Sequence, residues 1–183
     1  MNLFLIGYRC TGKTTVGRAL ARRLGWTFVD TDDVVVGAAG TSIARMVEMH
    51  GWPTFRKNER QALAAVAAGS DQVVATGGGV VLDDRNIAVM QAAGKVVWLT
   101  AEEETIEKRM LADDATDSSR PSLTDQGRIA EIRQVLAERK PNYEKAADVT
   151  IATDHASIEK ICDLMVKELD KISNGERTII PMP

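Results

Sequence analysis

Short runs of apolar and β-branched residues recur along the chain, separated by helix-length segments of mixed polarity. The five runs are residues 2–6, 26–29, 72–76, 95–99 and 148–152. Strands of nearly continuous apolar sequence that alternate with helices are typical of a parallel sheet covered on both faces. The pattern therefore predicts an α/β fold of three layers, α/β/α, with a five-stranded parallel sheet.

The segments between these runs have the periodicity of helices. Helices are predicted over residues 14–24, 32–39, 42–51, 53–69, 86–94, 102–112, 125–140 and 157–172. Several of them end in a glycine, which is typical of the left-handed position just past a helix C-terminus. The pattern thus predicts left-handed backbone at four glycines: Gly25, Gly51, Gly69 and Gly94.

One segment differs from the rest of the chain. Residues 113–127 lack apolar periodicity and are rich in Asp, Ser and Thr, which predicts a mobile loop within the domain; this loop is called the lid below. The sequence has no internal repeat and no linker, and 183 residues suit one domain. We therefore expect residues 1–183 to form a single domain.

Composition excludes several classes of protein. With 44% hydrophobic and 27% charged residues, the chain is typical of soluble globular proteins. A net charge of -3 gives no basic footprint for nucleic acid. The first apolar run is far shorter than the roughly 20 residues that span a bilayer. Cys10 and Cys162 show no metal-ligand spacing, so we expect a cytoplasmic protein. We also expect a monomer that binds neither nucleic acid nor membrane.

The loop after the first strand carries a phosphate-binding motif. Gly7, Gly12, Lys13 and Thr14 satisfy G-x-x-x-x-G-K-[ST] between a predicted strand and a predicted helix. Glycines let backbone N–H groups converge on a phosphate, and the helix N-terminus adds positive potential. Lys13 would reach the β- and γ-phosphates, and the Thr14 hydroxyl would ligate Mg²⁺. The motif therefore predicts a site for a ligand with several phosphates, together with Mg²⁺.

Cys10 occupies the middle of this loop, where a further glycine would make the turn easier. Two interpretations stay open. The thiol lies near a helix N-terminus and could be oxidisable, or a small residue is simply tolerated there.

Candidates for the phosphate acceptor site follow the second and third strands, where open α/β sheets bind ligands. Asp30 and Asp32 could orient Mg²⁺ and accept a proton from a hydroxyl, or one of them could cap the next helix. Residues 77–79 are three glycines, and bare backbone can approach a ligand closely there.

Arginines supply candidate groups for binding an anionic acceptor. Arg56 and Glu59 are three residues apart on a predicted helix and can form an ion pair on its surface. Arg120 lies in the predicted lid, and Arg139 lies near a predicted helix end before Pro141. Each of these two could be solvated or could bind substrate.

Taken in order, these motifs resemble those of the shikimate kinases. The resemblance runs from about residue 3 to residue 150 and rests on six sequences: GxxxxGKTTVGRALA, FVDTD, SI with GxxxFRxxE, TGGG, SRPSL and ERKPNY. It implies a nucleoside-monophosphate-kinase-like fold that uses ATP and Mg²⁺ to phosphorylate the 3-hydroxyl of shikimate, a step towards chorismate and the aromatic amino acids.

The resemblance also assigns the nucleotide side of the site. The residues that would bind ATP are Gly7, Cys10, Thr11, Gly12, Lys13, Thr14, Thr15, Arg109 and Arg120. Thr14 would hold Mg²⁺ directly and Asp30 through water. Arg120 would close over the phosphates and, with Lys13, stabilise the charge of the group in transfer.

On the acceptor side, the resemblance implies a substrate-binding helical segment at about residues 31–62. Asp32 would bind substrate hydroxyls and accept the proton, while Arg56 and Arg139 would clamp the shikimate carboxylate. Gly78 and Gly79 would contact the ring through their backbone, and Glu59 would orient Arg56.

The chain departs from the family pattern in three places. Cys10 replaces the usual glycine, and Trp52 stands where an acidic residue is common, with no role expected beyond packing. The stretch around His155 lacks an arginine that many members have. Two rival functions stay open: a kinase for another small hydroxy acid such as gluconate, and a nucleotide-binding regulator without turnover.

Overall fold

The computed structural model describes residues 1–112, 128–172 and 178–179. The predicted lid, residues 113–127, lies outside them, as does Arg120. In chain order the elements are β1 (Asn2–Ile6), α1 (Lys13–Leu24), β2 (Thr27–Asp30), α2 (Thr31–Ala39), α3 (Ile43–Ala67), β3 (Gln72–Ala75), a 3₁₀ helix (Val80–Leu82), α4 (Asp84–Ala93), β4 (Gly94–Thr100), α5 (Glu103–Ala112), α6 (Arg128–Ala146), β5 (Val149–Ala152), α7 (Ile158–Ile172) and β6 (Thr178–Ile179).

The strands form one sheet in the order β2-β3-β1-β4-β5-β6, and every neighbouring pair is parallel. The predicted five-stranded parallel sheet is confirmed in the order 2-3-1-4-5. A sixth strand of two residues, β6, extends it beyond β5 and was not predicted. Because all five residues of β1 are buried, this central strand is covered on both faces.

Side chains that alternate along β1 enter two separate cores, one on each face of the sheet. Leu3 and Leu5 pack in a cluster with residues of α1 and α7, including Leu20 and Met165. Phe4 and Ile6 pack on the other face with residues of α3, α4 and α6, which are Leu63, Ile87, Met90 and Tyr143. Each such side chain contributes about 1.5–3 kcal/mol when fully buried. The predicted three layers are therefore confirmed.

Of two helix predictions near prolines, one is confirmed and one needs correction. The two predicted helices that follow α2 are both present within α3, because Gly51 has non-helical backbone (φ 74, ψ 168) and separates them ahead of Pro53. The helix predicted to stop before Pro141 continues through it to Ala146. Arg139 therefore lies within a helix, and Tyr143, one turn later, lies on the same side of that helix.

The glycine prediction was right at two positions and wrong at two. Gly25 and Gly51 have φ of 68 and 74. Gly69 has no positive φ, and a Cβ there would meet the side chain of Gln72, with Cδ at 3.1 Å. Gly94 is extended (φ 174) and begins β4, where a Cβ would lie 2.6 Å from the backbone carbon of Asn2. Glycine at position 94 is therefore required by the Asn2 backbone, whereas at Gly69 the close contact is only the end of the Gln72 side chain.

Within the described ranges, no helix combines the length and the apolar character needed to cross a bilayer.

Candidate active site

The three loops that carry the predicted site residues meet at one edge of the sheet. The phosphate loop follows β1, the aspartates of residues 30–32 follow β2, and the glycines of residues 77–79 follow β3. Because β2, β3 and β1 are neighbours and parallel, their carboxyl ends lie side by side. The sheet order itself therefore brings these loops together.

The phosphate loop is closed by its own lysine. Lys13 Nζ donates to the carbonyl oxygens of Gly7 at 2.9 Å and Tyr8 at 2.6 Å, and Lys13 is buried. Gly7 has φ of 140, and a Cβ there would press against the backbone of Leu99. The loop thus has room for backbone only where β1 approaches β4.

The N-terminus of α1 carries no side-chain cap. Gly12 occupies the N-cap position with φ of 94, makes no side-chain hydrogen bond, and no acidic residue lies in the first turn. The first N–H groups of a helix have no partner within the helix, and they bear partial positive charge. This terminus therefore fits an anionic ligand such as a polyphosphate.

Cys10 adopts left-handed backbone, with φ of 60. The expectation that a glycine would ease the turn here is consistent with this conformation, because a non-glycine residue in it costs roughly 1–2 kcal/mol. Arg109 Nη1 donates to the Cys10 carbonyl at 3.2 Å. A hydrogen bond from α5 thus holds the loop at its least favourable residue.

Thr153 joins the phosphate loop to the end of β5. Its hydroxyl donates to the carbonyl of Thr11 at 3.1 Å and accepts from Arg109 Nη1 at 3.0 Å; Arg109 Nη2 also donates to the Thr153 carbonyl at 2.7 Å. A cleft beside the loop is lined by Cys10, Gly12, Thr15, Val16, Arg109, Thr153, Ala156, Ile158 and Ile161. Sequence reasoning missed Thr153, since a buried threonine outside any motif gives no signal.

Asp30 links the phosphate loop to α2. Its Oδ2 accepts from the Thr14 hydroxyl at 3.1 Å, and its Oδ1 accepts from the Asp32 amide at 3.0 Å as the N-cap of α2. The helix-cap interpretation is therefore right for Asp30, and the second oxygen still faces Thr14. A hydroxyl and a carboxylate are oxygen donors of the kind that Mg²⁺ takes together with substrate phosphates. Among the described residues, no group of three or more His, Cys, Asp or Glu could hold a metal.

A second pocket opens beside the phosphate loop. Its lining residues are Tyr8, Arg9, Asp32, Ile43, Trp52, Phe55, Arg56, Glu59, Gly77, Gly78, Gly79 and Arg139. The pocket, together with the solvent space at its open mouth, encloses about 510 Å³. The structure therefore brings together all the predicted acceptor residues, which come from α2, α3, α6 and the loop after β3. We refer to it below as the acceptor pocket.

Each glycine of the TGGG sequence makes room for a different part of the site. A Cβ on Gly77 would lie 2.7 Å from Glu59 Oε1 and 2.9 Å from Asp32 Oδ1. A Cβ on Gly78 would lie 3.3 Å from the Gly7 carbonyl oxygen, and one on Gly79 would lie 2.5 Å from Arg56 Cζ. Three glycines are needed because two carboxylates, the phosphate loop and a guanidinium all approach this turn.

Arg56 is fixed by a buried carboxylate and two rings. Arg56 Nη1 donates to Glu59 Oε2 at 2.7 Å, and Glu59 is only 1% exposed. The Arg56 guanidinium lies over the rings of Trp52 at 5.4 Å and Phe55 at 5.2 Å. Burial raises the pKa of the Glu59 carboxyl, while the charge and hydrogen bond of Arg56 oppose that rise. The planar cation is thus held in one orientation at the pocket wall.

Four residues of this region were missed or undervalued from the sequence. Trp52 lines the pocket and stacks on Arg56; its position four residues before Arg56 on one helix was the available signal. Arg9 forms an ion pair with Glu131 of α6. Tyr8 lines the pocket, and Tyr143 lies buried behind it. His155 is exposed ahead of α7 and does not line the cleft beside the phosphate loop.

Comparisons with known proteins agree with this arrangement. The family model described as shikimate kinase matches residues 9–170. The shikimate kinase of Symbiobacterium thermophilum is 40% identical over 177 residues, which cover 97% of this chain and 99% of that protein. The structure of shikimate kinase from Acinetobacter baumannii in complex with shikimate superposes with a TM-score of 0.86 at 30% identity, covering 95% of this chain and 94% of that one.

A gluconokinase from Sinorhizobium meliloti superposes with a TM-score of 0.56 at 19% identity, covering 94% of this chain and 93% of that one. This likeness concerns the fold alone. The relatives of higher identity and the match over most of the sequence decide the family: the chain belongs to the shikimate kinases.

Proposed function

We propose that this protein transfers the γ-phosphoryl group of ATP to the 3-hydroxyl of shikimate, giving shikimate 3-phosphate and ADP. One observation carries the proposal. The acceptor pocket combines a buried aspartate, Asp32, with two arginines, Arg56 and Arg139, and it meets the phosphate loop at Gly78. A hydroxyl in this pocket would therefore lie next to a bound polyphosphate.

The acceptor pocket has the groups that a small carboxylate with hydroxyls requires. Arg56 and Arg139 would bind the carboxylate, because planar guanidinium groups suit a carboxylate in bidentate geometry. Asp32 would accept a hydrogen bond from the reacting hydroxyl and then its proton. Asp32 is 7% exposed and Arg139 8%, and such burial strengthens these charge interactions.

The phosphate loop has the groups that ATP requires. Lys13 and the uncapped N-terminus of α1 would bind the phosphates. We infer that Arg109, Thr153 and the cleft around them receive the base. The role of Arg120 over the phosphates rests on the sequence, because this residue lies outside the described ranges.

The proposal includes Mg²⁺. The oxygens of Thr14 and Asp30 lie 3.1 Å apart and fit a cation that shares its coordination with phosphates. Thr14 would contact the ion directly and Asp30 through water. When bound, the ion would neutralise charge on the transferred group.

Two rival functions differ in what they need from the pocket. A gluconate kinase would also use the two arginines, but Trp52 and Phe55 give the pocket apolar walls, which we expect to favour a ring over an open polyol chain. A regulator without turnover would not need Asp32 buried beside the phosphate loop. The proposal also places the enzyme in the cytoplasm as a monomer.

The test is an assay of ADP release with ATP and Mg²⁺ in the presence of shikimate, gluconate or no acceptor. Asp32→Asn removes the proton acceptor and keeps the size of the side chain, whereas Asp33→Asn is a matched change at the exposed neighbour. We expect shikimate-dependent turnover that falls at least 100-fold in Asp32→Asn and persists in Asp33→Asn, a loss in the range known for general bases. ATP binding without turnover on any acceptor would reject the kinase in favour of the regulator.

A further inference from the structure

Tyr143 is buried directly behind the acceptor pocket. It lies on α6 four residues after Arg139 and beyond Pro141, and it is 0% exposed. Its ring stacks on Trp98 of β4, with centroids 5.3 Å apart and planes at 16°. The ring is therefore held by the core, and the position of its hydroxyl is fixed.

The Tyr143 hydroxyl donates to the carbonyl oxygen of Gly78 at 2.6 Å, and Arg139 Nη1 donates to the same oxygen at 3.0 Å. Two donors from one helix thus bind the middle of the glycine turn, more than 60 residues away in sequence. The described residues contain no cis peptide bond, so the N–H of Gly79 points away from this carbonyl. Gly79 lines the acceptor pocket, and the described part of the chain gives its N–H no hydrogen-bond acceptor.

We propose that Tyr143 is a positioning residue for the acceptor. Its hydroxyl fixes the Gly78–Gly79 peptide so that the Gly79 N–H is presented to a substrate oxygen. Because the same carbonyl also binds Arg139, the hydroxyl keeps Arg139 in register with the turn. This inference rests on the proposed function, since the oxygen in question belongs to the acceptor.

The hydrogen bond donated by the Tyr143 hydroxyl should persist across the pH range of an assay. Burial raises the pKa of Tyr143 to about 12, although the charge of Arg139 opposes the rise. The phenol therefore stays protonated and donates its hydrogen bond at neutral and moderately alkaline pH. The phosphate loop is held separately, by Lys13 and by the Thr11 hydroxyl, which donates to the Tyr8 carbonyl at 2.8 Å. Loss of the Tyr143 hydroxyl should consequently affect the acceptor and leave ATP binding almost unchanged.

Tyr143→Phe tests the proposal, because it removes the hydroxyl and keeps the ring. We expect the KM for shikimate to rise about threefold to tenfold, the effect of one hydrogen bond, with the KM for ATP within about twofold of the parent. Trp98→Phe is the control, since it loosens the packing of the same ring and keeps the hydroxyl. Trp98→Phe should lower the Tm without raising the KM for shikimate more than the KM for ATP. An equal rise in both KM values for Tyr143→Phe would overturn the proposal. So would a selective rise in the KM for shikimate in Trp98→Phe.

A measurement on the unaltered protein supports the test without relying on a variant. We expect the Gly79 amide to exchange with solvent deuterium quickly in the free protein and slowly with saturating shikimate. An amide already protected in the free protein would show that it does not face the pocket. If the unaltered enzyme does not phosphorylate shikimate, the proposed function fails and the inference with it. If it does and Tyr143→Phe behaves like the parent, only the inference fails.

Discussion

Gly79→Ala should displace the guanidinium of Arg56 without straining the backbone. Gly79 has φ of -105 and ψ of 5, which alanine adopts. A Cβ at this position would lie 2.5 Å from Arg56 Cζ, whereas carbon atoms in contact stay about 3.5 Å apart. The guanidinium must therefore move by about 1 Å.

A movement of this size loses hydrogen bonds to charged groups. Arg56 binds Glu59 Oε2 at 2.7 Å, and in the described part of the chain the other oxygen of Glu59 has no hydrogen-bond partner. A hydrogen bond of this kind contributes about 1.5–3 kcal/mol. If the proposed carboxylate contact is lost by the same movement, kcat/KM for shikimate should fall about 10-fold to 150-fold. The KM for ATP should stay within about twofold, because the phosphate loop does not depend on Arg56.

Steady-state kinetics with each substrate varied, together with thermal unfolding, measure these effects. Gly37→Ala is the matched control, because a Cβ there would meet nothing within 4 Å and its φ is not positive. It lies inside α2, so the control should gain up to about 1 kcal/mol of stability and keep its activity. If Gly79→Ala retains the parent kcat/KM for shikimate and the parent Tm, the Arg56 guanidinium does not lie against Gly79, and the reasoning is refuted.

Three further predictions concern strain and pH. Cys10→Val should lower the free energy of unfolding by about 1–2 kcal/mol, since a β-branched residue is poorly suited to φ of 60. Cys10→Gly should stay within about 1 kcal/mol of the parent. Identical urea midpoints for the parent and both variants would contradict this prediction. Burial raises the pKa of Glu59 above its ordinary 4.5, so its contribution to stability is full below pH 4.5 and is lost as the pH rises through the raised pKa. The Tm of the parent should therefore fall over this pH range, and it should fall less steeply in Glu59→Gln. Equal slopes of Tm against pH in the two proteins would count against this assignment. Hydrogen bonds from Arg85, and a further one from Arg60, hold the pKa of Asp83 well below its ordinary 3.8. The stabilisation from the Asp83 carboxylate is therefore present above pH 3.8 and is lost as the pH falls below that value. The Tm difference between the parent and Asp83→Asn should shrink on acidification, and a constant difference would refute the assignment.

The sheet could be predicted because its signal is local. The apolar runs mark strands that are covered on both faces, and β1 shows this pattern over its whole length. The glycine motif also predicted the phosphate loop, since Gly7 and Gly12 are required by backbone geometry within a few residues. The predicted helix end at Pro141 was wrong. An internal proline loses one hydrogen bond and clashes with the preceding turn, but tertiary packing such as that of Tyr143 on Trp98 outweighs this cost.

Contacts between distant segments could not be predicted. Thr153 and Tyr143 act on carbonyl groups of Thr11 and Gly78, and a backbone acceptor leaves no trace in the sequence. The error at Gly94 has the same origin, because the need for glycine comes from the backbone of Asn2, far away in the chain. Local patterns therefore gave the framework of the site, while its supports depend on tertiary packing.

The edge of the sheet is divided between two functions. The ends of β2 and β3 carry the acceptor pocket, whereas the ends of β1, β4 and β5 carry the phosphate loop, Thr100 and Thr153. The turn at Gly78 touches both halves, and the hydrogen bond from Thr14 to Asp30 also joins them. We expect such a division to be modular: replacing α2 and α3 should change which alcohol is selected, provided that Asp30 and its hydrogen bond to Thr14 are kept. A redesign of acceptor choice on this scaffold should begin at those two helices and leave the glycine turn unaltered.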